Sequence, residues 1–448
     1  MKATLAKFEQ ATIFRFLVQW TIILIPLSIL VGSLVAFFLW SLDYVTQQRY
    51  QHPWLLFLLP VGGVAIWLLY RYAGKNAAAG NNLLLEEIHE PGGGVPARMT
   101  PLVLGGTLLT HLLGGSAGRE GTAVQMGGSV ASLLLRWIKF DVQEKRIILT
   151  AGIAAGFGAV FGTPVAGAVF ALEVLVVGHM KYDALVPALI AAVLANFTVA
   201  AWGVHHTAYA ITTPVGEITA MFSSNAAAEW LLLGKTILAG MAFGLTAWVF
   251  ANTMEAVKSY AAKWIRVPWL IPVTGGVVVI QLVYLFGTQD YLGLGVTGPH
   301  AGSVSIVNAF HSGGAGTWSW AIKLLFTVVT LGTGFKGGEV TPLFFIGATL
   351  GNTLAVATGS PVDLMAALGF IAVFAGATNT PIACTLMGVE LFGGDHILHY
   401  TVACFTAYYF SGHSGIYSSQ GIRGNKVGPS ETEALQTIRD WQLRRRNE

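Results

Sequence analysis

Long apolar runs dominate this chain. Each run of about 17 to 25 residues could cross a bilayer as one helix. Such runs lie near residues 16–40, 54–70, 182–203, 229–251, 268–287 and 318–334. The strands of a membrane β-barrel would alternate in polarity at about ten-residue spacing instead. The runs therefore predict an all-α polytopic membrane protein.

Shorter, glycine-broken apolar segments lie between these runs, at 101–113, 122–137, 342–358 and 361–377. Several are too short to cross the membrane comfortably, so they predict helices that stop near its midplane. The first turn of a helix carries unpaired backbone N–H groups and a partial positive charge, which together attract anions. Glycine also lets the backbone leave helical geometry where a cavity is lined.

Three segments have the character of such helix starts. They are GREGT (118–122), GGEVTP (337–342) and AAAGNNLLLEEIHEP (77–91). Pro342 suits a first helical turn, and Gly80, Asn81 and Asn82 precede an apolar turn in the third segment. Three helix starts that meet at one point would bind a small anion.

The composition supports this class and excludes others. Of 448 residues 54% are hydrophobic and only 10% are charged, whereas soluble domains carry roughly 25% charged residues. The net charge of +3 says little about binding partners. No basic patch is interleaved with aromatic residues, so nucleic-acid binding has no support. Cys384 and Cys404 lie in apolar stretches without ligand-like spacing and are predicted to be buried, inert thiols.

The N-terminal segment does not have the form of a cleaved signal. It carries Lys2, Lys7 and Arg15 without a compact apolar region and small-residue cleavage site, so the first apolar run is predicted to remain in the protein. Positive charge at both ends, with Arg439 and Arg444 in the C-terminal part, predicts cytoplasmic termini. We expect a multi-pass protein of the cell (plasma or inner) membrane.

The sequence contains an internal repeat. The matching stretches are GSAGREG (115–121) with GTGFKGG (332–338), and TPVAGAVFALE (163–173) with TPIACTLMGVE (380–390). The offset along the chain is the same for both pairs; the first sets Arg119 against Lys336 and the second Glu173 against Glu390. Transporters often consist of such halves, with the binding site between them.

The repeat divides the chain into two halves and a tail. The predicted boundaries are 1–210 for the first transmembrane half, 220–420 for the second and 421–448 for a short cytoplasmic tail. The repeat alone leaves open whether the halves run parallel or inverted.

These motifs together resemble the CLC family of anion channels and transporters. The resemblance rests on GREG followed by T-x-VQ-x-GG, on GFKGGEVTP in the second half and on the late SGIYSSQ. It runs from about Gly80 to Tyr417. The resemblance implies two inverted-topology repeats whose broken helices meet at a midplane anion site, and a homodimer with one pore in each subunit.

The resemblance also implies roles for individual residues. Glu120 falls on the family's external gating glutamate, and Tyr417 falls on the central tyrosine that lines the pore. The positions expected to bind the ion are Gly80, Asn81, Asn82, Gly121, Val340, Thr341 and Tyr417. Glu339 stands in the second-half loop where an apolar residue is usual.

Several departures from the family pattern favour its fluoride-exporting branch. Asn81 replaces a serine, Glu339 is present, and the sequence has no glutamate between Glu173 and Glu217. Thr207 is placed about where the family's internal proton-transfer glutamate should be. In GREGT, Thr122 replaces the family's proline. These features predict fluoride/proton antiport, with a chloride/proton antiporter or a passive chloride channel as the alternatives.

The chemistry fits fluoride, protons and the lipid membrane as the partners, without a cofactor or metal. An asparagine amide offers two donors to a strongly hydrated anion, where a serine hydroxyl offers one; which of Asn81 and Asn82 faces the ion stays open. Glu120 can occupy the anion site as a carboxylate and carry a proton when neutral. Glu339 is a second proton carrier, a group that holds the ion path, or a barrier to leakage.

Other assignments are simpler. Arg119 is expected to pair with a carboxylate or to cap carbonyl groups. Glu173 and Glu390 are expected to bind helix ends. The cluster of Glu86, Glu87, His89 and Glu90 is interpreted as a solvated helix end rather than a metal site.

An enzyme is the distant alternative. GGSAG (114–118) matches the G-x-S-x-G nucleophile pattern, which would make the chain an intramembrane serine hydrolase. Ser116 would then need a strand-to-helix elbow and a partner such as His111.

Overall fold

Helices make up nearly all of the regular structure in this computed structural model, which describes residues 9–213, 226–423, 426–427, 436–440 and 443. The first half contains α1 (Glu9–Gln51), α2 (Leu59–Leu69), α3 (Asn81–His89), α4 (Met99–Leu112), α5 (Glu120–Leu134), α6 (Val142–Phe161), α7 (Pro164–Glu173) and α8 (Leu185–Ala201). The second half contains α9 (Ala226–Trp264), α10 (Leu270–Phe286), α11 (Ile306–Ala309), α12 (Ser319–Gly332), α13 (Val340–Thr358), α14 (Val362–Thr378), α15 (Pro381–Phe392) and α16 (Ile397–Phe410). The described residues also contain short helical turns at Pro53–Leu58, Tyr70–Gly74, Lys75–Ala79 and Tyr182–Ala184, and three two-residue strands, β1 (Val176–Val177), β2 (Gly421–Ile422) and β3 (Gln436–Thr437).

Five helical stretches of the described chain are long and apolar enough to cross a membrane. They are 9–51, 53–79, 182–201, 227–264 and 340–358. The first four contain or closely match predicted apolar runs. The runs at 268–287 and 318–334 form the shorter helices α10 and α12, while α13 is a full 19-residue helix rather than a short, broken one.

Glycine allows the closest helix contacts. A Cβ on Gly127 of α5 would overlap the carbonyl oxygen of Gly152 on α6. In the second half, a Cβ on Gly347 of α13 would overlap the carbonyl oxygen of Gly369 on α14. Small residues drive such packing in membranes, where helices gain little from burying apolar surface. The two halves thus share the same tight helix pair.

The register of the repeat differs from the predicted one at its first motif. Glu120 and Val340 begin equivalent helices, and the left-handed Gly114 (φ 84°) and Gly334 (φ 99°) precede these starts by the same interval. The alignment of Arg119 with Lys336 is therefore wrong. Glu339 is the repeat partner of Arg119.

The later motif keeps the predicted offset. Pro164 and Pro381, which begin α7 and α15, are partners in the register read from the sequence. The register changes because the chain from Glu120 to Pro164 is slightly longer than the chain from Val340 to Pro381. One constant offset therefore cannot align both motifs.

The halves cap each other reciprocally. The carboxylate of Glu173 accepts hydrogen bonds from the amides of Ile382 (3.1 Å) and Ala383 (2.8 Å) in the first turn of α15. Glu390 at the end of α15 accepts from Val165 (3.0 Å) and Ala166 (2.7 Å) in α7. The predicted role of both glutamates at helix ends is confirmed. This exchange of equivalent contacts is what a two-fold relation between inverted repeats produces.

The C-terminal segment returns to the first half. Strand β2 pairs in parallel with β1 and antiparallel with β3. The predicted domain boundaries stay a prediction, and the junction at 210–220 lies largely in residues 214–225, outside the described residues. Both cysteines are buried free thiols, as predicted.

Candidate anion site

The carboxylate of Glu120 lies on the first turn of a helix from the other half. The backbone N–H of Thr341 donates to its Oε2 at 3.0 Å, and the Thr341 hydroxyl donates to the two carboxylate oxygens at 2.5 and 2.6 Å. The side chain is only 1% exposed. A carboxylate is itself an anion, so these donors mark a place where a small anion would be held.

The two halves meet at the loops just before these helices. Gly118 and Gly338, which are equivalent in the repeat, exchange backbone hydrogen bonds of 2.6 and 2.8 Å in an antiparallel bridge. The bridge fixes the start of α5 against the start of α13. The site is therefore built from both repeats, and neither half contains it alone.

Arg119 completes the environment of the glutamate. Its Nε lies 3.5 Å from Oε1 of Glu120, and its backbone N–H donates to Oε2 at 3.1 Å. The expected pairing of Arg119 with a carboxylate is confirmed. Thr122, where the family has proline, binds the hydroxyl of Thr107 at 2.7 Å.

The two asparagines of the third helix start face different partners. Gly80 (φ 60°) turns the chain into α3, whose first residue is Asn81. A Cβ on Gly121 would lie 3.1 Å from Nδ2 of Asn81, so this amide faces the start of α5. Asn82 instead accepts a hydrogen bond from the Ser419 amide at 3.1 Å. The structure thus separates the two side chains that the sequence left equivalent.

Glu339 lies on the same side of α5 as Asn81. Its Oε2 would be 3.9 Å from a Cβ on Gly121, and it is the residue that precedes α13. Val340 is the first residue of α13 and is buried. The starts of α3, α5 and α13 therefore converge around Gly121, as the sequence predicted.

Tyr417 approaches from the C-terminal segment. The amide of the preceding Ile416 donates to the Ala377 carbonyl at 2.9 Å, and Gln420 receives a 2.9 Å hydrogen bond from Asn379. These contacts hold the loop, and Tyr417 is 5% exposed. Its side chain lines the same cavity as Asn81.

Two small cavities flank the contact between Glu120 and Thr341. The Glu120 cavity, of about 20 Å³, is lined by Arg119, Glu120, Phe161, His206, Thr207, Tyr209, Val296, Thr341, Phe344, Phe370 and Leu391. The Asn81 cavity, of about 10 Å³, is lined by Asn81, Leu84, Leu85, Val124, Ile153, Phe170, Val174 and Tyr417. Each has room for roughly one water-sized particle.

The internal repeat relates the two cavities. Three pairs of repeat partners each place one residue in the Asn81 cavity and the other in the Glu120 cavity. Val124 and Phe344 are partners in the register of the helix starts, and the register of the later motif pairs Ile153 with Phe370 and Val174 with Leu391. The two cavities therefore form equivalent approaches to one central contact, from opposite directions.

Several lining residues were not predicted from the sequence. Phe344 and Phe370 stack with ring centroids 3.9 Å apart beside Glu120. Both lie inside apolar helices, where a phenylalanine is ordinary and carries no local signal. Only their repeat relation to Val124 and Ile153, in the corrected register, could have indicated them.

The placement of Thr207 is wrong. The residue that directly follows α7 is Val174, and it lines the Asn81 cavity. Thr207 comes after the next long helix, α8, and lines the Glu120 cavity. Thr207 therefore shares a cavity with Glu120, the residue that falls on the family's external gating glutamate, and does not lie at an internal position.

The hydrolase alternative has no geometric support. Ser116 is fully buried, with its hydroxyl 2.9 Å from that of Thr327. The two ring nitrogens of His111 lie 2.8 and 3.0 Å from the carbonyl oxygens of Thr107 and Ala117. The serine and the histidine therefore bind other groups instead of each other.

The residues at the end of α3 also have separate partners. Glu86 accepts from the Ser419 hydroxyl at 2.7 Å, and Glu87 accepts from the Gly92 amide at 2.8 Å. His89 Nε2 lies 3.1 Å from the Leu175 carbonyl oxygen. These side chains serve to connect the helix end to the neighbouring loops.

The fold and this site define a family of anion channels and transporters. The sequence profile described as voltage gated chloride channel matches residues 61–412, and the chain belongs to this CLC family. It is similar to a chloride/fluoride channel protein of Pseudomonas syringae pv. tomato, with 44% identity over 435 residues that cover 95% of this chain and 92% of the relative.

Solved structures agree with the fold. A CLC-type fluoride/proton antiporter superposes with a TM-score of 0.83 at 33% identity, covering 91% of this chain and 98% of that one. A slow cyanobacterial Cl⁻/H⁺ antiporter superposes with a TM-score of 0.70 at 20% identity, covering 88% and 94%. The inverted-repeat CLC fold expected from the sequence motifs is confirmed.

Proposed function

We propose that this protein exports fluoride in exchange for protons. The observation that carries the proposal is the Glu120 carboxylate bound by the amide and hydroxyl of Thr341, with Asn81 and Glu339 beside Gly121. A titratable anion occupies the donors that a transported anion would use. Binding of the ion and protonation of Glu120 are then linked events.

Fluoride needs dense hydrogen-bond donors because its hydration is strong. The Thr341 amide and hydroxyl supply two donors, and the Asn81 amide supplies others. The Oδ1 of Asn81 is buried without a hydrogen-bond partner within the described part of the chain. A protonated carboxyl group could donate to this oxygen, which makes Asn81 suited to a path shared by protons and fluoride.

Glu120 and Glu339 are proposed as successive proton carriers. Glu120 lines one cavity, and Glu339 lies near Gly121 with Asn81, toward the other. A neutral Glu120 would release Thr341 for fluoride and pass its proton inward toward Glu339. The inward proton gradient would then drive fluoride out. A carboxylate held in a membrane segment costs about 2.5 kcal/mol or more unless it is compensated, so a functional role is expected.

Two relatives support the choice of ion. One carries the name chloride/fluoride channel protein, and the other is described as a fluoride/proton antiporter. The retained Glu120 favours coupling over a passive channel. Glu339 and Asn81 favour fluoride over chloride.

The distribution of charge supports one orientation in the membrane. The turn between α5 and α6 carries Arg136 and Lys139, and the start of α6 lies near the C-terminal strands. Basic loops stay in the cytoplasm, so we place this face and the C-terminal tail there. Helix α6 has 20 residues and ends at Phe161 in the Glu120 cavity, about 30 Å away; that cavity then faces outward. We further propose a homodimer in the plasma membrane.

Flux measurements in liposomes test the proposal. Purified protein is reconstituted with internal fluoride or chloride, and efflux is followed with electrodes while a dye reports internal protons. We expect fluoride efflux with proton uptake. Chloride efflux should be at least about tenfold slower, because an ion that makes one fewer charge-assisted hydrogen bond loses about 1.5 to 3 kcal/mol. Equal chloride and fluoride fluxes would contradict the fluoride assignment, and anion efflux without proton movement would indicate a channel.

Replacing Gly118 by alanine should slow fluoride efflux by displacing Glu120. Its Cβ would lie 2.9 Å from Oε2 of Glu120 and 3.0 Å from the Gly338 carbonyl oxygen. Such overpacking costs about 1 to 3 kcal/mol, so fluoride efflux should fall about tenfold. Gly105→Ala is the matched control, because its Cβ would meet nothing within 4 Å beyond the adjacent atoms of its own helix. Equal rates for the two variants would mean that the bridge does not position Glu120.

A further inference from the structure

A large cavity lies on the face where the C-terminal strands meet the loops of the first half. Its volume is about 340 Å³, within the usual range of about 300 to 1,000 Å³ for small-molecule pockets. The polar and charged residues of its wall come from α3, α6, the segment after β1 and the residue after β2, and include His89, Gln143, Arg146, His179, Lys181, Asp183 and Arg423. We call it the basic cavity. Within the described residues it shares no wall with the Glu120 or Asn81 cavities.

The cavity is positively charged. Arg146, Lys181 and Arg423 line it, against the single carboxylate of Asp183. That carboxylate is held by neutral donors, the Gln143 amide at 3.1 Å and the Ala184 N–H at 3.0 Å. In the part of the chain that the structure describes, neither Arg146 nor Lys181 forms an ion pair. Their charges are therefore left to attract an anion from outside the protein.

Arg146 is the best positioned of these groups. Its Nη2 donates to the His89 carbonyl oxygen at 2.7 Å, which fixes the guanidinium. Its Nε is buried and has no partner among the described residues. A buried, unpaired donor on a charged group is costly, so an incoming acceptor would be stabilised here.

The neighbouring histidine responds to this positive field. Burial lowers the pKa of His89, and the charges of Arg146 and Lys181 lower it further. The imidazole is therefore neutral at pH 7, and its single N–H lies on Nε2, toward the Leu175 carbonyl oxygen. His89 adds no charge to the cavity, so the donors for an anion are those of Arg146 and Lys181.

We propose that the basic cavity binds a phosphate group, carried by a lipid headgroup or by a small soluble ligand. The planar guanidinium matches two phosphate oxygens at once. Arg146 and Lys181 against the single carboxylate of Asp183 leave a positive charge that a phosphate group would neutralise.

The basic cavity lies next to the two segments that carry Asn81 and Tyr417. His89 ends the helix that Asn81 begins, and β2 starts shortly after Tyr417. A bound phosphate would bridge the end of α3 and the segment after β2. Tyr182, between the lining residues Lys181 and Asp183, is 69% exposed, and Trp137 in the turn before α6 is 79% exposed. Such aromatic residues collect at lipid headgroup depth. A lipid headgroup can therefore reach the site.

Two binding measurements distinguish the sources. Protein in phosphatidylcholine nanodiscs is titrated calorimetrically with inorganic phosphate. In parallel, thermal unfolding is compared between phosphatidylcholine discs and discs with equal parts of phosphatidylglycerol. We expect binding in the first assay, a higher Tm in the second, or both. Lys181→Gln should weaken phosphate binding about tenfold or remove most of the Tm increase.

Matched variants keep the test decisive. Lys139→Gln removes an exposed positive charge from the same face but outside the cavity and should leave both signals unchanged. Arg146→Lys keeps the charge without the planar fork and should give an intermediate loss. The proposal is overturned if neither probe gives a signal, or if Lys181→Gln and Lys139→Gln change it equally. A response to phosphatidylglycerol alone identifies the lipid as the source, and a response to inorganic phosphate alone identifies a soluble ligand.

Discussion

Replacing Glu120 by glutamine should abolish proton uptake during fluoride efflux. The glutamine amide keeps nearly the size of the carboxyl group but cannot titrate, so one of the two proposed proton carriers is lost. It also loses the charge that competes for the Thr341 amide and hydroxyl. In reconstituted liposomes, the dye signal for protons should fall to the level of protein-free vesicles.

The control for this experiment is Glu255→Gln. Glu255 is an exposed glutamate on α9, away from the residues that line either cavity, so its loss should leave coupling intact. Unchanged proton uptake in Glu120→Gln would show that another group carries the proton and would remove the gating role.

The same assay on Glu339→Gln separates the three roles open to that residue. A proton carrier predicts fluoride efflux that continues without proton uptake. A group that holds the ion path predicts loss of both fluxes, and a barrier predicts faster, uncoupled efflux. We expect the first result, because Glu339 lies beside Gly121 on the Asn81 side of the site.

The largest effect on stability should come from the reciprocal glutamates. Glu173→Gln leaves one acceptor oxygen for two backbone N–H groups of α15. The second N–H then faces the glutamine NH₂ group, which cannot accept a hydrogen bond. Hydrogen bonds to charged groups contribute about 1.5 to 3 kcal/mol each, and a buried N–H without an acceptor also pays its desolvation penalty. Together with the lost attraction to the helix dipole, we expect a cost of about 3 kcal/mol. Thermal unfolding in detergent should show a Tm lower by several degrees.

The repeat predicts that Glu390→Gln behaves in the same way. Glu390 caps α7 through Val165 and Ala166, but it is less buried than Glu173, so its effect should be somewhat smaller. Glu255→Gln serves again as the neutral reference. If both repeat variants unfold at the temperature of the reference, the reciprocal caps do not hold the halves together.

Local pattern was sufficient for much of the site. Apolar length and glycine breaks predicted which segments are helices and where helices α3, α5 and α13 begin, because these properties depend on neighbours within a few residues. Glu120 and Asn81 could be singled out because charged and amide groups are conspicuous in apolar surroundings. The significance of Glu339 and the role of each residue came from the resemblance to the CLC family.

The two halves of the sequence match each other in two motifs, but only one motif is in its true register. A constant offset aligned Glu173 with Glu390 correctly, and it aligned Arg119 with Lys336 incorrectly. Short glycine-rich stretches match each other at several registers, since glycine carries no side chain to distinguish them. The helix starts at Glu120 and Val340 and the backbone bridge between Gly118 and Gly338 fix the register in the structure.

The class of protein, its duplicated halves and the chemistry of an anion site at helix starts all follow from the sequence alone. Which groups meet at that site depends on tertiary packing. Thr341 binds Glu120 from the other half of the chain, Asn81 faces Gly121 while Asn82 turns to Ser419, and Thr207 lies in the Glu120 cavity. Such contacts join residues that are far apart in the sequence. Which residues meet depends on how the helices of the two halves pack against each other, and the periodicity of a single helix does not encode that packing.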